Sequence, residues 1–142
     1  MRVFNKTKNR VVAEDAAIAR TLEEKSTGLT KYETPHAMYF ETRWGACPVP
    51  IDEHGSFRGK VGHALRNIFH PLVDFPLFWC GVHTFGMRFP IDVVVLDGRG
   101  IVRALKKNMP PKRFFFWSPL WKRILELPSG SAIEIGDELK LV

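Results

Sequence analysis

Hydrophobic and polar positions alternate most regularly between residues 85 and 96. The odd positions are Phe85, Met87, Phe89, Ile91, Val93 and Val95; the even ones are Gly86, Arg88, Pro90 and Asp92, turning apolar at Val94 and Leu96. A period of two is the spacing of a strand, so the segment reads as a strand with one buried face that becomes buried on both faces near its end. Pro90 cannot donate to a ladder and marks an edge, a bulge or a break between two short strands. Asp97-Gly98-Arg99-Gly100 then supplies turn chemistry and Ile101 to Leu105 resumes the apolar run, the strongest hairpin signal in the chain. Ala37 to Trp44, Phe114 to Trp117, Arg123 to Leu127 and Glu138 to Val142 read as further short strands, separated by Pro- and Gly-rich punctuation.

Only Asp15 to Thr27 reads as a clear helix. Ile18 and Leu22 lie four apart beside Ala19, Asp15 stands where an N-cap carboxylate would accept the first free amides, and Gly28 stands where a left-handed C-cap would sit, with Leu29 packing back on the same face. Many short strands, frequent turns and one helix predict a single mainly β domain, sandwich or barrel-like, with an N-terminal helix. Residues 46–80 interrupt this pattern with prolines, glycines and little periodicity, a long irregular stretch for a compact domain.

Three segments resemble a known group. V-H-T-F-G-M-R-F-P-I-D-V-V-V-L-D-G-R-G (Val82 to Gly100), L-E-L-P-S-G (Leu125 to Gly130) and I-G-D-E-L (Ile135 to Leu139) resemble, in order and spacing, the bacterial and archaeal family called domain of unknown function 192. The opening helix ending at Gly28-Leu29 fits the same resemblance, which covers roughly residues 11–44 and 82–142. Two features depart from it. Many relatives carry a Trp-Met-Lys-Asn-Thr type sequence where this chain has His83 to Met87, and here residues 46–80 stand as an insertion of about 35 residues. The resemblance implies a compact mainly β fold with one helix, and no activity.

Charge adds a hint of partners. The net charge is +6, and residues 1–12 and 101–123 together hold eleven of the 21 basic residues and no acidic one. Clustered cations favour an anionic partner. In the second segment Lys106, Lys107, Lys112, Arg113, Lys122 and Arg123 surround F-F-F-W-S-P-L-W, the aromatic-plus-basic pattern of single-stranded nucleic-acid or sugar recognition. Strand alternation sends two of Phe114 to Trp117 into the core and the other two to the opposite side, where the insertion could cover them, so packing is the competing reading.

Parity places Thr84, Arg88 and Asp92 on the face opposite Met87 and Ile91, and sets Glu126 against Leu125 and Leu127. If the two strands are neighbours, these four line one polar ligand site, where two nearby carboxylates divide acid and base roles. The competing readings are solvated residues, or Asp92 capping backbone amides beside Pro90. His83 shares parity with the apolar face, which favours a half-buried core histidine over a catalytic base. Cys47, Cys80, His54, His63 and His70 gather in and around the insertion; they are zinc-type ligands, but no C-x-x-C or H-x-x-x-H pair orders them, so packing, a disulfide and a structural zinc stay open. The apolar stretch from Ile68 to Trp79 either covers its own sheet or forms a partner surface such as a homodimer contact.

No phosphate-cradling glycine loop, G-x-S-x-G elbow or H-E-x-x-H pair occurs, so no nucleotide cofactor is expected. No apolar run approaches the ~18 residues of a membrane span, and the basic N-terminus lacks the apolar region of a secretory signal, which points to a cytoplasmic protein. The leading expectation is a binding or accessory domain for a small polar or sugar-like ligand or a protein partner. A carboxylate-based hydrolase and a nucleic-acid-associated protein are the alternatives.

Overall fold

The computed structural model describes residues 1–42, 80–118 and 120–142. The chain is mainly β. In order it forms β1 (Val3–Asn5), β2 (Arg10–Ala13), β3 (Ala16–Ala19), α1 (Leu22–Thr27), a 3-10 turn (Gly28–Lys31), β4 (Ala37–Glu41), β5 (Cys80–His83), β6 (Ile91–Leu96), β7 (Val102–Met109), β8 (Phe114–Trp117), β9 (Arg123–Pro128) and β10 (Leu139–Leu141). A five-stranded sheet in the order β3-β4-β9-β6-β7 occupies the centre, with a three-stranded sheet β10-β1-β2 and a two-stranded ribbon β5-β8 beside it. None of these sheets closes into a barrel among the described residues, and no described helix is long and apolar enough to cross a membrane.

The central sheet is apolar on both faces, which gives the layers. Met38, Phe40, Val93, Val95 and Ile124 share one cluster with Leu29, Met87, Phe89 and Trp117, and Val82 and Phe115 pack against it. Tyr39, Val94, Leu96, Leu125 and Leu127 share the other with Val3, Ile133 and Leu139. The ribbon and the 3-10 turn thus cover one face and the three-stranded sheet covers the other. Burial on both sides explains why the alternation of β6 dissolves into Val93-Val94-Val95-Leu96, all 0% exposed.

The hairpin expected at residues 97–100 joins β6 to β7. Asp97 accepts the amides of Arg99 (2.8 Å) and Ile101 (3.0 Å) and pairs with the Arg103 guanidinium at 2.8 Å. Gly100 has φ +86°, and a Cβ there would stand 2.5 Å from the Leu139 carbonyl oxygen, so only glycine fits.

Two expected elements differ from the structure. The helix starts at Leu22, not Asp15, because Ala16–Ala19 pairs in parallel with Ala37–Phe40 as an edge of the central sheet. Buried Ala16 and Ala19 suit that close-packed edge, and tertiary pairing outweighs alanine's helical preference. The N-cap is Thr21, in a capping box: its Oγ1 accepts the Glu24 amide at 3.1 Å, and Glu24 accepts the Thr21 amide at 3.0 Å. Asp15 lies exposed, 3.5 Å from the terminal amine. Removing the cap with Thr21→Ala is expected to lower stability by about 1 kcal/mol, read as a shift of the urea midpoint at constant slope.

The strand expected from Phe85 to Leu96 begins only at Ile91. Residues 84–90 turn instead, with Gly86 at φ +81° and Pro90 at the break. Met87 and Phe89 still reach the core, whereas Phe85 is 44% exposed. Strand 37–44 is described as far as Glu41, and the last strand is the shorter Leu139–Leu141.

Candidate functional site

The structure separates the polar face expected from parity. β6 and β9 are indeed neighbours, but their register pairs Asp92 with Leu127 and Val93 with Glu126. Cross-strand partners share a face, so Asp92 lies on the side of Leu125 and Leu127 and Glu126 on the side of Val93 and Met38. The two carboxylates are on opposite faces of one sheet. They form no acid–base pair.

Each residue of that expected site has a different situation. Asp92, 0% exposed, accepts the Asn108 amide at 2.7 Å, the Ser131 amide at 2.8 Å and the Ser131 hydroxyl at 2.6 Å. It ties the start of β6 to the end of β7 and to the loop after β9, the amide-capping role open in the sequence. Thr84 is equally buried; its Oγ1 donates to the Pro110 carbonyl at 2.7 Å and accepts the Arg113 amide at 3.0 Å. Arg88 is exposed and pairs with exposed Glu33 at 3.3 Å. Glu126 is buried, no donor among the described residues reaches it, and desolvation pushes its carboxyl up to about 7.

Asp137 is a structural residue that no pattern in the sequence marks. This buried carboxylate accepts the Asn5 side-chain amide at 2.7 Å and the Glu134 amide at 3.0 Å and lies 3.5 Å from the Lys8 ammonium. Burial works against its charge, but these contacts outweigh it and hold the carboxyl below the usual range.

What the fold assembles instead is an aromatic surface on the ribbon. β5 and β8 pair with Gly81 opposite Phe116, Val82 opposite Phe115 and His83 opposite Phe114. Val82, Phe115 and Trp117 pack inward. His83, Phe114 and Phe116 stand on the outer face. Phe114 and Phe116 are 58% and 52% exposed, with rings 5.9 Å apart and 7° from parallel. Phe85 joins from the following turn, its centroid 5.0 Å from Phe114. Gly81 makes room for this layer, since a Cβ there would stand 2.6 Å from Phe116 Cδ1. His83 contacts Phe85 and Phe114 edge-on at 5.8 and 6.2 Å. Its Nδ1 is buried and has no hydrogen-bond partner among the described residues, which leaves it without a described group to position it as a general base.

The basic candidates divide as well. Arg123 pairs with Glu41 at 3.5 Å and donates to the Gly98 carbonyl at 3.1 Å. Lys122 is exposed, and its carbonyl accepts the Thr42 amide. Lys106, Lys107, Lys112 and Arg113 are exposed and carry no ion pair among the described residues. The zinc candidates Cys47, His54, His63 and His70, and the apolar stretch 68–79, lie outside the described residues; of Cys80 only the place in β5 is described.

Comparison with known proteins adds fold and no activity. No family model and no curated protein matches the chain. A solved protein of unknown function from Novosphingobium aromaticivorans is similar in structure over 99% of this chain and 82% of its own, with TM-score 0.63 and 15% identity. A proposed transcription regulator from Sinorhizobium meliloti is similar over 98% of this chain and 89% of its own, with TM-score 0.61 and 14% identity. At such identities the likeness concerns the fold alone.

Proposed function

We propose that this chain is a binding domain rather than an enzyme, and that its contact surface is the outer face of the β5–β8 ribbon. The observation that carries this reading is the exposure of Phe85, Phe114 and Phe116 side by side. Burying a phenylalanine side chain is worth roughly 1.5–3 kcal/mol, and a contiguous set of exposed rings marks a surface that a partner completes. Phe115 and Trp117 already serve the core, so the fold does not need phenyl rings at 114 and 116 for packing. Polar side chains there would leave the inner face unchanged.

A hydrolase working through Asp92 and Glu126 has no support once the register puts them on opposite faces. A polar-ligand site at Thr84, Arg88, Asp92 and Glu126 loses its basis for the same reason. The ligand-binding role itself moves to the aromatic face, where flat hydrophobic ligand surfaces find rings to stack on.

Amide chemical shifts test the location. Titration with a panel of neutral oligosaccharides, short oligonucleotides and acidic peptides is expected to move the amides of residues 80–85 and 112–117 with at least one of them. A panel that leaves those amides still at millimolar concentration, or moves only amides elsewhere, overturns the reading.

A further inference from the structure

Resting on that reading of the aromatic face, we infer that its ligand is single-stranded nucleic acid, held by base stacking on Phe114 and Phe116 with Lys112 and Arg113 on the adjoining phosphates. Three observations converge. The first is the pair of exposed, nearly parallel rings on one strand face. Every base offers a π-face to such rings, and a single strand leaves that face open, whereas a duplex hides it.

The second is the placement of charge. Lys112 and Arg113 precede Phe114 directly, at the end of the ribbon where His83 faces Phe114. Buried Thr84 fixes that turn: its carbonyl accepts the Lys112 amide at 3.0 Å, its amide donates to the Arg113 carbonyl at 2.9 Å, and its hydroxyl accepts the Arg113 amide. Lys112 is held there at φ +61°. The backbone that carries these two cations, neither of them in an ion pair among the described residues, is therefore fixed directly before the strand that carries the rings.

The third is Lys106. Its register partner is Val93, so it belongs to the same side of the central sheet as the ribbon, and it too lacks an ion pair among the described residues. It adds a third exposed cation on that side of the sheet. Charge decides between ligand classes. A neutral sugar would use the rings and gain nothing from the cations, and an acidic peptide would use the cations and leave two parallel rings without flat partners. A strand of bases and phosphates uses both.

The test is fluorescence anisotropy of labelled twelve-residue oligo-dT and oligo-U, against a duplex of the same length, between 50 and 300 mM salt. The expected result is tighter binding to the single strands than to the duplex by ten-fold or more. With three phosphate contacts, the slope of log K against log salt would be about −2. Phe114→Ala with Phe116→Ala is expected to weaken binding at least ten-fold at every salt concentration. Lys112→Ala with Arg113→Ala would instead flatten the slope to about −0.7. If the single strands do not bind while a neutral oligosaccharide or an acidic peptide moves the ribbon amides, the ligand class is wrong and the contact surface stands. Oligonucleotide binding that survives loss of both rings overturns the inference, because the site then lies elsewhere. If no probe binds, both readings fall.

Discussion

Asp92→Ala is expected to destabilise the protein by about 3–5 kcal/mol, a large fraction of the 5–15 kcal/mol that holds a typical domain together. The loss comes from what the carboxylate leaves behind. Asn108 and Ser131 each present a backbone amide to it, and Ser131 adds its hydroxyl, all at 2.6–2.8 Å. Each buried donor stripped of its acceptor costs roughly 1–3 kcal/mol, and Asp92, 0% exposed, has no bulk solvent beside it to take the place of the carboxylate. Asp92→Asn keeps the shape but turns an amino group toward donors, so it should cost less than alanine and still about 2 kcal/mol. Urea unfolding with an unchanged slope would register both losses as lower midpoints. If Asp92→Ala loses under 1 kcal/mol, Asp92 is not the tie between β6, β7 and the loop after β9 that the geometry makes it.

That role recasts the motifs on which the family resemblance rests. Asp92, Asp97 and Asp137 all fall within them, and all three accept backbone amides at chain reversals. Gly100, Gly130 and Gly136 fall within them too, at φ +86°, +94° and +94°. These positions hold the fold together. None of these six belongs to the aromatic surface, to which the first segment contributes only His83 and Phe85.

The parts of the fold that were legible are those decided within a few residues. The 97–100 hairpin follows from its turn residues, and the split of Phe114 to Trp117 into two inward and two outward rings follows from the pleat. The helix boundary is not legible in this way, although Thr21 and Glu24 stand three apart as a capping box should, because Ala16–Ala19 reads as helical until β4 is there to pair with it. The polar site failed for a different reason. Parity within β6 and within β9 holds at Asp92 and Glu126, but which residue faces which depends on the register between two strands more than 30 positions apart in sequence, and a slip of one residue turns every side chain to the other face. His83 reads from parity as a half-buried histidine beside the core, and half-buried it is, with its Nδ1 inside; its ring lies on the Phe114 side of the ribbon because a turn, not a continuing strand, follows β5.

Glu126 is the group whose removal should stabilise the protein. It sits between Met38 and Val93 on an apolar face beneath the ribbon side of the molecule, with no donor among the described residues to stabilise its charge. The unfolded chain gives up this proton near the ordinary value of 4.5, while the folded protein keeps it to about 7. Between these values the native state binds one more proton than the unfolded chain, so stability falls as pH rises through the window and levels off above it. The fall amounts to roughly 3 kcal/mol. Glu126→Gln should therefore match the parent protein near pH 4, unfold at a higher urea concentration at pH 8, and show a flatter profile in between. The window isolates this group from the other carboxyls, phenol and ammonium whose titration the fold displaces. Asp97, Asp137 and Glu24 are lowered and titrate beneath it, and Tyr39 and Lys8 are raised and titrate far above it. Parallel profiles for the two proteins from pH 4.5 to 7 would show that Glu126 finds a donor in solution. A stabilised Glu126→Gln that still binds at the aromatic face would separate the buried carboxyl from the binding surface.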